Sequence, residues 1–325
     1  MNAEKNINIH EDAWDMSEDL VEKLRENPID LIGERRIVTI EDLREIYHEK
    51  NLLVCDAYIE NIEQKTREGL IFRDKNVYSI DHHAPLSEYE KKISSTNLAI
   101  EYVRENGPIE KDFSVVTNHT DADSVLACLI MRGIIPPDER YGMAAIAADH
   151  TGEENEIADL LQAVRYERNL DLSVRSLQLL RDGKSIDGKA GDLLEKRHND
   201  RRRAHELAKS DEIKKIEDVY YIELDKKIDP NFFVDAIPEA IIFMTFSPHK
   251  EYPEKLEARI RLGIAGIESG INLSKLGIES AIDANWGGRW NAGSDKRGGG
   301  TDLSCEEYAY KLNDLLQNYL IKKNE

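Results

Sequence analysis

Val77-Tyr78-Ser79-Ile80-Asp81-His82-His83-Ala84-Pro85 is the stretch that decides the fold. A short apolar, β-branched run breaks off into one carboxylate and two imidazoles, and a proline then ends regular structure. The pattern predicts a buried strand that delivers ligand-type side chains to the loop at its C-terminal end. Open parallel α/β sheets bind their ligands just outside the carboxyl ends of the strands. Three other apolar runs in the first half of the chain end the same way. Leu52-Leu53-Val54-Cys55 runs into Asp56, Phe113–Thr117 into Asn118-His119-Thr120-Asp121-Ala122-Asp123-Ser124, and Met143–Ala148 into Asp149-His150. Each is read as a buried strand.

Helical periodicity fills the intervals. Ser17–Asn27, capped by Ser17, and Ile40–Glu49, Ser95–Glu105 and Val125–Met131 are expected helices. Strands alternating with helices predict an α/β fold with a doubly wound, mainly parallel sheet. From Glu153 to about Ser210 the sequence is charged and helical in period, which predicts a bridge between two domains. Arg201-Arg202-Arg203 within it reads as a solvated face. The second half has its own alternation. Strands are expected at Val219–Leu224, Ala240–Phe246 and Ala258–Gly263, and helices at Ser269–Ala284 and Thr301–Lys322. The expected organisation is a metal domain over 1–155, a helical linker over 156–212 and a smaller α/β domain over 213–325.

Composition narrows the function. Lys+Arg 44 against Asp+Glu 64 leave a net charge of −20 over 325 residues. A uniformly acidic surface repels a long polyanion, so duplex DNA along an extended face is not an expected partner. A small anion held by metal ions in a cleft is compatible with that surface, because local charge outweighs the global field. Cys55, Cys128 and Cys305 are odd in number and far apart, which suits a reducing cytoplasm rather than a disulfide framework. The acidic N-terminus has no apolar core, and no run approaches the roughly 20 apolar residues that span a bilayer, so no membrane role is expected.

The strand ends together supply Asp56; Asp81, His82 and His83; His119, Asp121 and Asp123; and Asp149. Carboxylates with a few imidazoles and no thiolate suit Mn²⁺ or Mg²⁺ better than structural zinc. So many acids at one sheet edge need cations to neutralise them, and two divalent ions about 3.5–4 Å apart would also serve an in-line displacement. The helix that follows the 119–123 loop adds positive character where a phosphate would sit. Other roles stay open residue by residue. Asp56 and Asp149 suit ordinary caps, His119 a satisfied loop position, Asp121 and Ser124 caps of the Val125 helix, and His150 a supporting or capping contact.

Ile80-Asp81-His82-His83 together with Asn118-His119-Thr120-Asp121-Ala122-Asp123-Ser124 resembles the DHH phosphoesterase superfamily, named for that triplet. Its members include single-strand exonucleases, oligoribonucleases, cyclic-dinucleotide phosphodiesterases, manganese pyrophosphatases and exopolyphosphatases. The motifs cover about residues 50–155. The glycine-rich stretch Asn285–Thr301 resembles the DHH-associated substrate-binding domain of the nuclease branch. The resemblance implies a binuclear site, with Mn²⁺ foremost and Mg²⁺ or Co²⁺ as alternatives. His119, Asp121 and Asp56 would hold one ion; Asp123, His82, Asp149 and a bridging Asp56 would hold the other. His83 would face the substrate phosphate and Asp81 would orient a neighbouring ligand. The family order places the H-x-D-x-D loop first, whereas here Asp56 and the triplet precede it, so the motif order is permuted. Asp56 is assigned from its place one strand ahead of the triplet.

In the glycine-rich stretch, Gly287, Gly288, Gly298 and Gly299 let backbone amides approach an anion. Arg289, Lys296 and Arg297 supply charge, and Trp286 or Trp290 offers a stacking face for a base. Arg289 stands where the family loop often has a histidine after a Gly-Gly pair. The alternative for the whole stretch is a flexible spacer between helices. The expected function is metal-dependent hydrolysis of phosphodiester bonds in short single-stranded oligonucleotides, dinucleotides or a similar small phosphoester, in a cleft between the domains, with a homodimer compatible. Phosphoanhydride hydrolysis of pyrophosphate or polyphosphate, and a metal-dependent nucleotide sensor without turnover, are the rival readings.

Overall fold

The computed structural model describes residues 19–33, 38–48, 50–59, 65–66, 71–74, 76–82 and 93–324. The chain is a two-domain α/β protein whose contacts divide it into two compact units, each with its own six-stranded sheet. The first takes in the described residues up to His82, Ile93–Ala145 and Glu156–Leu193; the second takes in Ile146–Asn155 and 194–324.

In the first unit the strands are β1 (Ile29–Leu31), β2 (Leu52–Cys55), β3 (Lys65–Thr66), β4 (Ile71–Asp74), β5 (Val77–Ile80) and β6 (Ser114–Thr117). Their order is β1-β6-β2-β5-β4-β3. β1, β6, β2 and β5 are mutually parallel, and β4 and β3 continue the sheet antiparallel. All four residues of β2 are buried, as befits a central parallel strand covered on both faces. The helices are α1 (Leu20–Glu26), α2 (Ile40–Tyr47), α3 (Ser95–Asn106), α4 (Ala122–Met131), α5 (Glu139–Ile146), α6 (Glu156–Val164) and α7 (Leu170–Arg181). Every residue of α4 is buried, because beyond the polar first turn of Asp123 and Ser124 it is apolar all round and packs against α3, α6, β2 and β6. Asp19 caps α1, and the cap expected at Ser17 lies outside the described residues. Residues 156–193, expected in a linker, pack with this unit; the apolar face of α6 (Leu160, Leu161, Val164) is fully buried.

The run Met143–Ala148, expected as a strand, is helical. It lies at the end of α5 and in a π-helical turn, Ala147–Thr151. Four of its six residues are alanine, the best helix former and a poor strand former. Asp149 therefore sits in a helical turn rather than at a strand end.

α8 (Gly188–Leu207) runs across the boundary between the units. The second unit then contributes β7 (Lys214–Ile216), β8 (Val219–Glu223), α9 (Asn231–Ala236), β9 (Ile242–Pro248), β10 (Leu256–Leu262), α10 (Ile264–Glu268), α11 (Ile278–Ala281), β11 (Gly287–Gly288), β12 (Ala292–Ser294) and α12 (Cys305–Asn324). The order is β11-β12-β10-β9-β8-β7, parallel only between β8 and β9. The helix expected over Ser269–Ala284 is broken into short turns; Gly270 and Gly277 take left-handed φ values of 62° and 76°, which end helices. Arg201 also departs from expectation. It is buried, bonds the carbonyl of Gly152 and lies over the Phe232 ring at 4.5 Å; Arg202 and Arg203 are exposed as expected.

The glycine-rich stretch is not a bare spacer: it carries two short strands, β11 and β12, and Thr301 bridges Leu256. Trp286 is buried over Gly288 and Gly293, and a Cβ at Gly293 would lie 2.4 Å from its Cζ2. That burial removes Trp286 from any stacking role. Asp295 anchors the next turn. Its Oδ1 accepts the Ala258 amide at 2.9 Å, and its carbonyl accepts the amides of Gly298 and Gly300. Asp295 and Asp283 are both buried, and the Oδ2 atom of each lacks a partner among the described residues, as does the Tyr308 hydroxyl. Burial first, and the facing Asp283 carboxyl next among the raising causes, push the Asp295 carboxyl up to about 8. Burial, with the two carboxyl groups nearby, also raises Tyr308.

Candidate metal centre

Three adjacent parallel strands build the site. β2 lies between β6 and β5, so their carboxyl ends share one edge. Asp56 follows β2, Asp81 and His82 follow β5, and the loop after β6 leads to Asp123 in the first turn of α4. Asp56 has φ 51°, a left-handed backbone that costs a non-glycine residue on the order of 1–3 kcal/mol. Its amide is held by the Ile80 carbonyl of β5 at 3.0 Å.

His82 Nε2 lies 3.6 Å from Asp56 Oδ1 and 3.5 Å from Asp123 Oδ2. One ligand atom from each of these residues falls within 4.8 Å of the others, and all three side chains are buried. His82 Nδ1 is 2.7 Å from the Ile93 carbonyl. A carbonyl only accepts, so Nδ1 carries the proton and Nε2 faces the carboxylates. A histidine whose far nitrogen donates to a backbone carbonyl has the tautomer and ring orientation of a metal ligand.

The carboxylates are fixed from the other side. Asp123 receives the amides of Ser95 on Oδ2 at 2.9 Å and of Thr96 on Oδ1 at 2.7 Å. It thus sits on the N-terminus of α3, where the helix dipole favours an anion. Asp56 accepts the Ser95 hydroxyl on Oδ1 at 2.8 Å and the Ser124 hydroxyl on Oδ2 at 2.7 Å. Ser124 Oγ is also 2.7 Å from Asp121 Oδ1. One hydroxyl proton cannot satisfy two carboxylates, so the cluster as a whole calls for added positive charge.

A divalent cation fits this donor set. Ligand atoms about 2.0–2.2 Å from an ion lie about 3.0–3.5 Å apart in tetrahedral or octahedral arrangements, close to the His82 separations. Two carboxylates and an imidazole, without thiolate, match Mn²⁺ or Mg²⁺ better than structural zinc. Asp56, His82 and Asp123 can hold a metal ion.

The remaining expected residues are placed differently. Asp81 is buried beside the site, and His83 lies outside the described residues. His119 and Asp121 are half-buried and do not belong to the three-residue group. Asp121 caps α4, accepting the Ser124 amide at 3.1 Å. Within the second unit, Asp149 pairs with Arg289 at 3.3 Å, and its carbonyl accepts from Arg261 at 3.1 Å. His150 is buried, takes the Asn291 amide at 2.9 Å and stacks on Trp290 with ring centroids 5.6 Å apart. Lys296, Arg297 and Gly298 are exposed, and Gly287, Gly288 and Gly299 are half-buried.

Two groups of contacts were not anticipated from the sequence. Ser95 and Thr96 hold the carboxylates, and Arg168 pins the loop after β6 through the carbonyls of Asn118 and, across on β1's exit, Ile32. Ser94-Ser95-Thr96-Asn97 does carry a readable helix-start signal, since Ser94 and Asn97 form a capping box.

No family model matches the chain, and no curated protein matches its sequence. Among solved structures it is similar to a Vibrio pGpG-specific phosphodiesterase, PggH, at 12% identity and a TM-score of 0.40, over 70% of this chain and 95% of that one. Overlap of that degree defines neither a family nor an activity. Among the described residues, no helix is long and apolar enough to cross a membrane.

Proposed function

We propose that the chain is a metal-dependent phosphoesterase of the DHH type that hydrolyses short oligonucleotides, dinucleotides or a similar small phosphoester. The observation that carries this reading is the buried convergence of Asp56, His82 and Asp123, with His82 Nε2 within 3.6 Å of both carboxylates. In this reading these three hold one divalent ion, and His119 and Asp121 contribute to a second. Bound divalent ions supply Lewis-acid polarisation and an activated water at neutral pH.

The chain's own groups then do the rest. Ile93 fixes the His82 tautomer, the amides at the α3 N-terminus orient Asp123, and in this reading His83 would meet the substrate phosphate. Within the second unit, exposed Lys296 and Arg297 and the glycine amides of the same stretch suit recognition of an anion. Arg289 clamps a phosphate by exchanging the Asp149 carboxylate for it. The net charge of −20 favours small substrates over long duplex.

The test is hydrolysis of a dinucleotide and a short oligonucleotide by purified protein with Mn²⁺, against EDTA and a His82→Ala control. Metal-dependent nucleotide release that the variant loses supports the reading. Absence of cleavage on these and on an aryl phosphodiester overturns it, and phosphate release from pyrophosphate alone would reassign the substrate.

A further inference from the structure

Ser95 touches every member of the triad. Its amide donates to Asp123 Oδ2 at 2.9 Å, its hydroxyl donates to Asp56 Oδ1 at 2.8 Å, and its Oγ accepts the His82 amide at 3.3 Å. The residue is fully buried.

Capping does not explain the hydroxyl. Ser94 is the N-cap of α3; its Oγ accepts the Asn97 amide at 3.1 Å, and Asn97 returns a bond to the Ser94 amide. The cap is complete without the Ser95 side chain. That side chain instead points across to the end of β2, thirty-nine positions earlier in sequence. There it holds a carboxylate whose backbone is already in a left-handed conformation. Ser95 thus holds Asp56 on Oδ1, while Ser124 Oγ at 2.7 Å from Oδ2 is shared with Asp121 Oδ1. Contacts on both oxygens fix the carboxylate plane.

We propose that Ser95 is the positioning residue of the cation site, its hydroxyl setting the orientation of Asp56 and tying it to the His82 backbone. The proposal rests on the reading of Asp56, His82 and Asp123 as cation ligands. Without the hydroxyl, Asp56 can turn toward Ser124, and Oδ1 no longer meets His82 Nε2 at a common point. The amide bond to Asp123 survives any side-chain change at Ser95, so the perturbation falls on Asp56 and on the His82 amide that Ser95 Oγ accepts.

Removing the partner that orients a metal ligand typically weakens metal binding about 10–100-fold. The experiment is Mn²⁺ titration by calorimetry on wild type, S95A and S95C, with thermal unfolding of each in EDTA. The thiol of S95C is a weak donor, so the expected order of affinity is wild type, S95C, S95A. A merely structural role would lower the melting temperature in EDTA equally for both variants and leave the dissociation constants alone. Wild-type affinity in either folded variant overturns the role of Ser95 while sparing the cation reading. A wild-type protein that binds no Mn²⁺ overturns both. If S95A does not fold, S95C still decides, because its affinity must fall below wild type.

Discussion

Asp295→Asn should remove a pH dependence that the buried Asp283–Asp295 pair builds into the fold. In the native chain the Asp295 carboxyl is pushed up to about 8, from an ordinary value of 3.8. Between these values the folded protein keeps a proton that the unfolded chain releases. The stabilisation is therefore complete below pH 4 and is lost as the pH rises through 8. One proton gives a slope of about 1.4 kcal/mol per pH unit, and about four units set a ceiling of about 6 kcal/mol. The pair titrates as a unit, so the measured loss falls below that ceiling. Asparagine keeps an oxygen for the Ala258 amide and offers an N–H to Asp283, with no charge to desolvate. Urea midpoints followed by tryptophan fluorescence from pH 5 to 9 measure the effect. The stability of wild type relative to D295N should fall steadily to about pH 8 and then level off. A difference that stays constant over this range would refute the raised Asp295 carboxyl.

Other expectations concern the second unit and its glycine-rich segment. Gly293→Ala should destabilise the protein by about 1–3 kcal/mol, since its Cβ would meet the Trp286 indole at 2.4 Å; chemical unfolding checks this, with Mn²⁺ affinity unchanged. Arg289→Ala should raise KM for a short oligonucleotide more than it lowers kcat, because the residue is read as a ground-state phosphate contact; a pure kcat loss would place it elsewhere in the reaction.

The parallel core was legible because β2, β5 and β6 are short runs buried on both faces, and such strands carry continuous rather than alternating hydrophobicity. The residues after them were legible for the same reason, since a polar triplet following a buried run must lie at the sheet edge. Asp149 was misplaced because an alanine-rich run of strand length carries no period that separates strand from helix. Ser95 was invisible as a contact: its partner Asp56 is set by which strands lie side by side, not by anything near it in sequence. The glycine-rich stretch hid two strands, because Gly288 and Gly293 lie against the Trp286 ring and glycine has no strand propensity of its own.

β6 enters the sheet between β1 and β2, pairing Ile29 with Val115 on one side and Leu52 with Ser114 on the other. The first two strands therefore cannot become neighbours, and each must wait some sixty to ninety positions for a common partner. Contacts of such long loop closure slow folding. The wedge that ends this wait also brings in the loop bearing Asp121 and Asp123. One strand insertion thus delivers at once two of the acids gathered at that edge and the apolar helix α4 that covers them.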